Sequence, residues 1–328
     1  MKPVSPDESM RGAAAGGDLT AAHQSYFGQP VLKRPHWDWK VVAYLFIGGI
    51  MGGSGILAAL ADGSRDKADR TLARSSRYLS LSLAAISPVM LIAHLGRPER
   101  FHHMLRIFKL KSVMSMGVWG LLLFSNVALV NAAHQLAEDG KAPRAFRALP
   151  RAAVGLMQAG LGAFMAGYTG VLLSATAIPL WAKGKRHIPA ISVCSSVASA
   201  CAANAIVLAL VGGPARTISK LERLEFVAAC AEAVLLLHFR RHAGESGEAM
   251  FSGHLGQSLR NFTLIGGLAL PMAHNGMAFA PLRPTQHGLR TILVSALTLM
   301  GGYVFRYVLI EAGKASADDP QLALRPPQ

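Results

Sequence analysis

Eight long apolar runs dominate the chain, and short polar segments rich in basic residues separate them. An α-helix needs about 20 apolar residues to cross a bilayer, whereas the strands of an outer-membrane barrel alternate apolar and polar positions. No run shows that alternation, so the pattern predicts an all-α polytopic membrane bundle of eight transmembrane helices. The predicted spans are 41–61, 78–95, 113–136, 152–180, 188–211, 224–239, 262–281 and 291–312.

The same pattern divides the protein into a bundle and two tails. Residues 1–36 are predicted to form a mobile N-terminal tail and an interfacial cap, 37–312 the bundle, and 313–328 a C-terminal tail. Aromatic and basic side chains around the first span, among them Trp37 and Trp39, are typical of anchors at a membrane interface. Glycines spaced by about four residues in the first and fourth spans predict close packing of those two helices.

Composition supports a membrane location. Of the 328 residues, 52% are hydrophobic and only 16% are charged, against about 25% charged residues in an ordinary soluble domain. This argues against a soluble enzyme. The net charge of +15 could indicate nucleic-acid binding, but the basic residues crowd the short loops and form no stripe with interleaved aromatics. The bilayer, with its anionic lipids, is the predicted partner, and nucleic acid is not.

The charges that flank the first span favour one orientation. Fewer basic residues precede this span than follow it, and the side with more of them is usually cytoplasmic. Both termini are therefore predicted to lie outside. The residues that precede it are Lys33, Arg34 and Lys40, and those that follow it are Arg65, Lys67, Arg70, Arg74 and Arg77.

Cysteine and histidine positions argue against a metal redox centre in this protein. The three cysteines, Cys194, Cys201 and Cys230, include no Cys-x-x-Cys unit, so no iron–sulfur cluster is predicted. A b-type haem needs two facing imidazoles, and no two spans offer a pair of mid-membrane histidines. Redox chemistry would therefore need a bound organic carrier and the centres of a partner subunit.

Two acidic residues fall inside the sixth predicted span. Glu225 and Glu232 are seven residues apart, so they share one helix face and could relay protons. Alternatively, each carboxylate pairs with a neighbour such as Arg306 of the last span and only stabilises the bundle. The sequence leaves both interpretations open.

Two further segments carry candidate chemistry. Gly96 and Pro98 flank Arg97 in the loop after the second span, which predicts a tight turn there. The guanidinium could bind a partner's carboxylate or a quinone carbonyl, or it could face lipid phosphates. Tyr168 stands between Gly167 and Gly170 inside an apolar run, where its hydroxyl can reach a ligand.

These residues belong to motifs that resemble the NrfD-like family, the membrane subunits of polysulfide reductase and related molybdenum or haem oxidoreductases. The first motif is the Trp-Asp-Trp segment 37–39, which precedes a Gly-Gly-rich helix. The second is Leu-Gly-Arg-Pro at 95–98, which leads into Ser-x-Met-Ser-x-Gly-x-Trp at 112–119. The third is Gly-Tyr-x-Gly-x-Leu-Leu-Ser at 167–174, followed by Pro-x-Trp at 179–181. The later spans match by number and hydropathy.

The resemblance implies a quinone-reactive subunit of the bacterial inner membrane. It would exchange electrons between menaquinone or ubiquinone and an iron–sulfur subunit, which usually serves a molybdenum catalytic subunit. The quinone would lie near the face that carries the N-terminus. Tyr168 matches the family's quinone-site tyrosine. Together with the residues discussed above, this predicts a quinone site of Tyr168, Tyr44, Trp39, Trp37, Arg97 and His94, and the helical spacing predicts a proton path through Glu225 and Glu232.

The sequence departs from the family pattern at Val41, Tyr44 and His94. An asparagine and a histidine that bind quinone in the polysulfide reductase member align with Val41 and Tyr44; Tyr44 could replace a hydrogen bond, whereas Val41 could not. His94 stands where many relatives carry an aspartate. A transporter without redox chemistry, or a structural anchor that binds no quinone, are the alternative functions.

Overall fold

The computed structural model describes residues 32–279 and 288–323, and the described residues form helices and connecting turns without a strand. This confirms the predicted all-helical class. The long helical elements are α1 (Trp39–Asp62), α2 (Asp69–His94), α3 (Val113–Glu138), α4 (Arg151–Ser174), α5 (Ile188–Leu210), α6 (Ala215–Ala243), α7 (253–276) and α8 (Leu289–Asp318). Most of the predicted N-terminal tail, residues 1–31, lies outside the described residues.

Helix α7 is irregular. It begins as an α-helix (Gly253–Ser258), continues as a π-helix (Leu259–Ala269) and returns to an α-helix (Leu270–Gly276). Long π-helical stretches are rare and often accompany functional sites. Short helices occupy several connections: Pro98–Arg100, His102–Arg106, Arg144–Ala148, Pro179–Lys183, Gly244–Gly247, Glu248–Phe251 and Pro320–Ala323.

The helices form two groups of four. Helices α1 to α4 contact one another in a ring, as do α5 to α8, and the groups meet where α5 packs against α1 and α4 and where α8 packs against α1. Glycines permit the closest crossings, as the sequence predicts for α1 and α4: a Cβ on Gly52 would clash with the carbonyl oxygen of Gly162. At the α7–α8 crossing, a Cβ on Gly267 would lie 2.5 Å from the Cα of Gly301.

Six helices among the described residues are long and apolar enough to span a membrane: α1, α2, α3, α4, α5 and α8. The other two elements occupy the predicted sixth and seventh positions. Charged residues lower the hydropathy of α6, and the π-helix interrupts α7. The count of eight spans therefore stays a prediction. Helix α8 continues to Asp318, beyond the residue at which the apolar pattern ends, because its last turns pack against the buried ring of Trp181.

Lys220 of α6 joins the two helix groups at the face opposite the termini. Its Nζ donates to Asp66 Oδ2 at 2.8 Å and to Asp69 Oδ2 at 2.7 Å. The hydrogen bond from Lys220 holds the pKa of Asp66 below its ordinary value of 3.8. A carboxyl group whose pKa is lowered in the folded state stabilises the fold at pH values above its ordinary pKa. This stabilisation is lost as the pH falls through the lowered, folded-state pKa.

We therefore expect Lys220→Met to lower the Tm at neutral pH by a small amount, on the order of 2 °C, because the ion pairs are solvent-accessible. The difference from the unchanged protein should shrink as the pH falls below 3.8 and should vanish below the lowered folded-state pKa of Asp66, where the carboxylate takes up its proton. Thermal unfolding of the detergent-solubilised protein at both pH values measures this. A Tm difference that stays constant with pH would contradict the assignment.

Candidate functional site

Two tyrosines that the sequence predicts as site residues, Tyr168 and Tyr44, lie in one apolar cluster towards the face that carries both described chain ends. Tyr168, on α4, is 4% exposed, and its hydroxyl donates to the carbonyl oxygen of Val113, at the start of α3, over 3.3 Å. Gly117 makes this possible, because a Cβ there would clash with the Tyr168 hydroxyl. The ring of Phe164 lies 5.7 Å away and fixes the other side of the phenol. Tyr168 is therefore held at the membrane end of the loop that precedes α3.

Tyr44 of α1 completes a pair with Tyr168. It is 3% exposed and belongs to the same buried apolar cluster as Tyr168. Within the described residues the Tyr44 hydroxyl has no hydrogen-bond partner, so its proton can be donated to a ligand. Val41 is buried in the same apolar cluster and offers no polar atom, as the sequence indicates.

The two tryptophans of the Trp-Asp-Trp segment have different surroundings. Trp37 stacks on Trp181, with ring centroids 5.2 Å apart and an interplanar angle of 15°. Its carbonyl oxygen also accepts a hydrogen bond from Lys314 of α8. Trp37 packs against the apolar cluster that contains both phenols. Trp39, by comparison, is 60% exposed at the outer surface of the bundle, as an interfacial anchor would be.

His94 contacts the N-cap of α1. Its Nδ1 lies 3.0 Å from Asp38 Oδ1, and the same carboxylate accepts from the backbone N–H of Lys40. Partial burial raises the pKa of Asp38, but the hydrogen bonds and charges of His94 and Lys40 outweigh it and bring the pKa below its ordinary value. Asp38 therefore stays ionised at neutral pH and orients the imidazole, whose other nitrogen can exchange a proton.

Arg97 follows α2 at the same face. It precedes the turn Pro98–Arg100, whose backbone is stabilised by a hydrogen bond from Arg100 N to Arg97 O at 3.1 Å. The predicted tight turn is therefore present. The side chain is exposed and makes no ion pair within the described residues. This leaves its guanidinium accessible to an anionic group outside the protein.

This part of the molecule can bind and protonate a polar ring. The Tyr168 phenol is held by its hydrogen bond to Val113, and the Tyr44 hydroxyl has no partner among the described residues. The Asp38–His94 pair lies at the surface beside the helix ends. Hydrogen-bond donors of this kind stabilise a carbonyl oxygen that gains negative charge.

A second polar region lies inside the α5–α8 group. Glu225 and Glu232 are 1% and 3% exposed, and both face the group's interior as their spacing predicts. Thr298 Oγ1 donates to Glu225 Oε1 at 2.6 Å. Ser195 lines the same small cavity as Glu232, and its Oγ accepts from Arg306 Nη1 at 3.3 Å. Arg306 is thus a neighbour of Glu232, as one sequence interpretation holds, but no direct ion pair joins these two described residues.

Sequence reasoning missed a third polar region, which lies inside the α1–α4 group. Arg77 of α2 is 1% exposed and forms a salt bridge with Asp62. It also donates to Asn131 Oδ1 at 3.0 Å and to Gln135 Oε1 at 2.6 Å. Asn131 in turn donates to Gln158 Oε1 at 2.6 Å. Arg77 stands one residue before the predicted apolar run 78–95. Because helices commonly extend beyond such runs, this position could have indicated that Arg77 is part of the second helix.

This network lies beside a polar cavity of about 760 Å³ at the face opposite the termini. The cavity is lined by both signs of charge, including Asp62, Arg74, Glu138 and Arg151. Because the opposite charges balance, the cavity has no clear preference for an anion or a cation. Among the residues that the structure describes, no group of three or more His, Cys, Asp or Glu side chains could hold a metal ion.

Comparison with known proteins gives a match over most of the sequence. Residues 30–317 match the family model described as Polysulphide reductase, NrfD. The Protein NrfD homolog of Haemophilus influenzae is 26% identical over 309 residues, which cover 85% of this chain and 94% of that protein.

Two further relatives are similar. A polysulfide reductase subunit of Wolinella succinogenes is 24% identical over 303 residues, covering 85% of this chain and 94% of the relative. Protein NrfD of Escherichia coli is 33% identical over 97 residues, covering 29% of this chain and 30% of the relative.

Proposed function

The chain belongs to the NrfD polysulphide reductase family and is a multi-pass membrane protein, and from that premise we propose that it is the quinone-reactive membrane subunit of an oxidoreductase complex. It would exchange electrons between menaquinone or ubiquinone and an iron–sulfur subunit, which would serve a molybdenum catalytic subunit. The similarity to the Wolinella polysulfide reductase subunit supports an assembly of several subunits. We further propose the bacterial inner membrane, with both termini outside.

The pairing of Tyr44 with Tyr168 carries this proposal. Two buried phenols from different helices lie in one apolar cluster; the first is hydrogen-bonded to Val113, and the hydroxyl of the second has no partner among the described residues. A quinone head group needs such an apolar site with a few directed donors. On binding, the Tyr168 hydroxyl would turn from the Val113 carbonyl, to which it donates over 3.3 Å, and would donate to one quinone carbonyl oxygen instead. Tyr44 would replace the donor that the family has at its position.

Residues near the two phenols would supply and accept the protons of the quinone reaction. Reduction of a quinone takes up two electrons and two protons, so a nearby proton donor is required. The Asp38–His94 pair, with Nδ1 and Oδ1 3.0 Å apart, lies at the surface of the same face. Trp37 would form part of the apolar wall, and Arg97 would bind a carboxylate of the partner subunit.

Purification from native membranes tests the proposal. We expect the protein to copurify with an iron-containing subunit, and quinone and iron to be measurable in the same preparation. A transporter would purify alone and would bind solute near the membrane centre, between interrupted helices. A structural anchor would retain the partner subunit but bind no quinone. Either result would refute the quinone proposal.

Proton translocation through Glu225 and Glu232 is a second candidate function, which can accompany quinone chemistry. One observation favours it: both carboxylates are buried at different depths of α6, and neither forms a direct ion pair with a described basic residue. A carboxyl group that only stabilises the bundle would be expected to contact its counter-charge.

We expect Glu232→Gln to reduce proton release per quinone turned over by at least about 10-fold, because an amide cannot exchange the proton. Quinone-linked electron transfer should stay within about two-fold, since Glu232 lies in the other helix group. Acidification measured in proteoliposomes during turnover checks this. Glu248→Gln, at an exposed carboxylate in the connection after α6, is the control. Unchanged proton release in Glu232→Gln would rule out this path.

A further inference from the structure

A small cavity lies inside the α5–α8 group, beside Glu232. Its volume is about 10 Å³, about the space that one water molecule requires. The lining combines one carboxylate and four hydroxyl-bearing side chains with the apolar side chains of Ala198 and Leu268 and the glycines of the α7–α8 crossing. The polar lining residues are Glu232, Ser195, Ser199, Thr263 and Thr298.

The hydroxyls around this cavity have unused hydrogen-bonding capacity. Thr263 donates to the carbonyl oxygen of Gly301 at 3.1 Å, and Thr298 donates to Glu225 at 2.6 Å. Each threonine oxygen therefore keeps lone pairs that can accept. Ser199, on α5, is 1% exposed, and its Oγ has no hydrogen-bond partner. A buried hydroxyl without a partner is costly, and among the unpartnered buried hydroxyls of the described residues this one lines the cavity, where a ligand would satisfy it.

The charges around the cavity favour a neutral occupant. The side chains of Glu232 and Arg306 carry opposite charges and are both buried around Ser195, although no ion pair joins these two described residues. A metal cation would leave an uncompensated positive charge in a low-dielectric interior. A water molecule adds no charge, can donate two hydrogen bonds to the free acceptors and can accept one from Ser199.

We propose that the cavity is a binding site for one water molecule, which joins Glu232 to Thr298 and through it to Glu225. The role assigned to this water rests on the proposed proton path, whereas its binding does not. A proton on Glu232 would pass to the water as the water releases one to Thr298 Oγ1 and Thr298 passes its own to the Glu225 carboxylate. One proton thus moves between the two glutamates, and Glu232 is left as a carboxylate that faces Ser195 and Arg306.

The path needs this water because the two carboxylates are too far apart to exchange a proton directly. Seven residues along α6 correspond to about 10.5 Å at the helical rise. Thr298 covers the part of this distance next to Glu225, since the hydrogen bond between them is short. The cavity lies between Thr298 and Glu232 and covers the rest.

A high-resolution electron cryomicroscopy map of the intact complex tests the binding site. We expect one density peak within hydrogen-bond distance of Glu232 and Ser199, and expect Ser199→Ala to weaken or remove it. Ser192→Ala is the matched control. Ser192 lies two turns earlier on α5 and is also buried with an unpartnered hydroxyl, but it does not line the cavity. An empty cavity, in a map that resolves other buried waters, would overturn the proposal, as would a peak with the short contacts of a metal ion.

Transport measurements on the same variants test the role. We expect Ser199→Ala to reduce proton release per turnover by about five-fold and to leave quinone turnover within about two-fold, while Ser192→Ala changes neither. Equal proton release in all three proteins would overturn the role of the water. Failure of the quinone proposal would look different, since quinone turnover would then be absent in the unchanged complex and the map alone would decide whether water binds.

Discussion

Tyr168→Phe is expected to reduce quinone-linked kcat/KM of the assembled complex by about 10- to 100-fold. The change removes one hydrogen-bond donor at an oxygen that gains negative charge, and such a bond contributes about 1.5–3 kcal/mol. The protein should still fold, because phenylalanine fills the same space beside Phe164 and Gly117, and the hydrogen bond to Val113 that the change removes is long at 3.3 Å. Steady-state assays with a soluble quinol analogue measure the effect.

Tyr78→Phe is the matched control for this prediction. Tyr78 also donates from its hydroxyl, to Asp139 Oδ2 at 2.7 Å, but this bond lies at the opposite face of the bundle. Its removal should leave kcat/KM unchanged. A Tyr168→Phe complex with full activity would refute the assignment of this phenol to the quinone site, provided that its Tm and subunit composition match those of the unchanged complex.

Gly117 gives an independent test of the same site. A Cβ at this position would clash with the Tyr168 hydroxyl, so Gly117→Ala should displace the phenol and lower kcat/KM in the same direction as Tyr168→Phe. The Cβ would clash with the ring of residue 168 as well as with its hydroxyl, so both changes act on one side chain, and the losses in the double variant should be less than additive. Additive losses would indicate that Gly117 acts elsewhere.

The second large effect concerns stability. Arg77→Met should lower the free energy of unfolding by about 3 kcal/mol, because it breaks a buried ion pair and leaves two amide oxygens without their donor. Those acceptors are Asn131 Oδ1 and Gln135 Oε1, at 3.0 and 2.6 Å from the guanidinium nitrogens. Asp62 keeps its bond to Arg151, at 2.8 Å, which limits the loss.

Thermal unfolding of the solubilised protein measures this loss as a fall in Tm of roughly 5–10 °C. Arg74→Met is the control, since Arg74 lies one turn earlier on α2 and bridges Asp139 at 3.0 Å, but its side chain is 51% exposed. Exposed ion pairs contribute at most about 1 kcal/mol. Equal Tm values for the two variants would show that the buried network contributes no more than a surface pair.

The candidate quinone site was partly predictable because its residues sit in local motifs. Tyr168 stands in a Gly-Tyr-x-Gly segment and His94 before Leu-Gly-Arg-Pro, so contiguous sequence was enough to find both. The partner of His94 was not found. Asp38 lies 56 residues away, and only the arrangement of α1 beside α2 brings the two side chains within 3.0 Å.

For the buried polar residues, too, the sequence predicted local features but not contacts between distant segments. The spacing of Glu225 and Glu232 along one helix predicts a shared face, because helical periodicity is a local property. Their neighbours are not local: Thr298 and Arg306 come from α8, and Ser195 and Ser199 from α5.

By itself, the sequence determined the helical class, the approximate positions of the helices and the family, because these depend on apolar run length and on contiguous motifs. Only the tertiary structure decided which side chains meet. The network around Arg77 draws on α1, α2, α3 and α4, and the cavity beside Glu232 on α5, α6, α7 and α8. Contacts of this kind depend on how helices rotate and cross, which is set by close packing between distant segments and leaves no periodic signal in a single sequence.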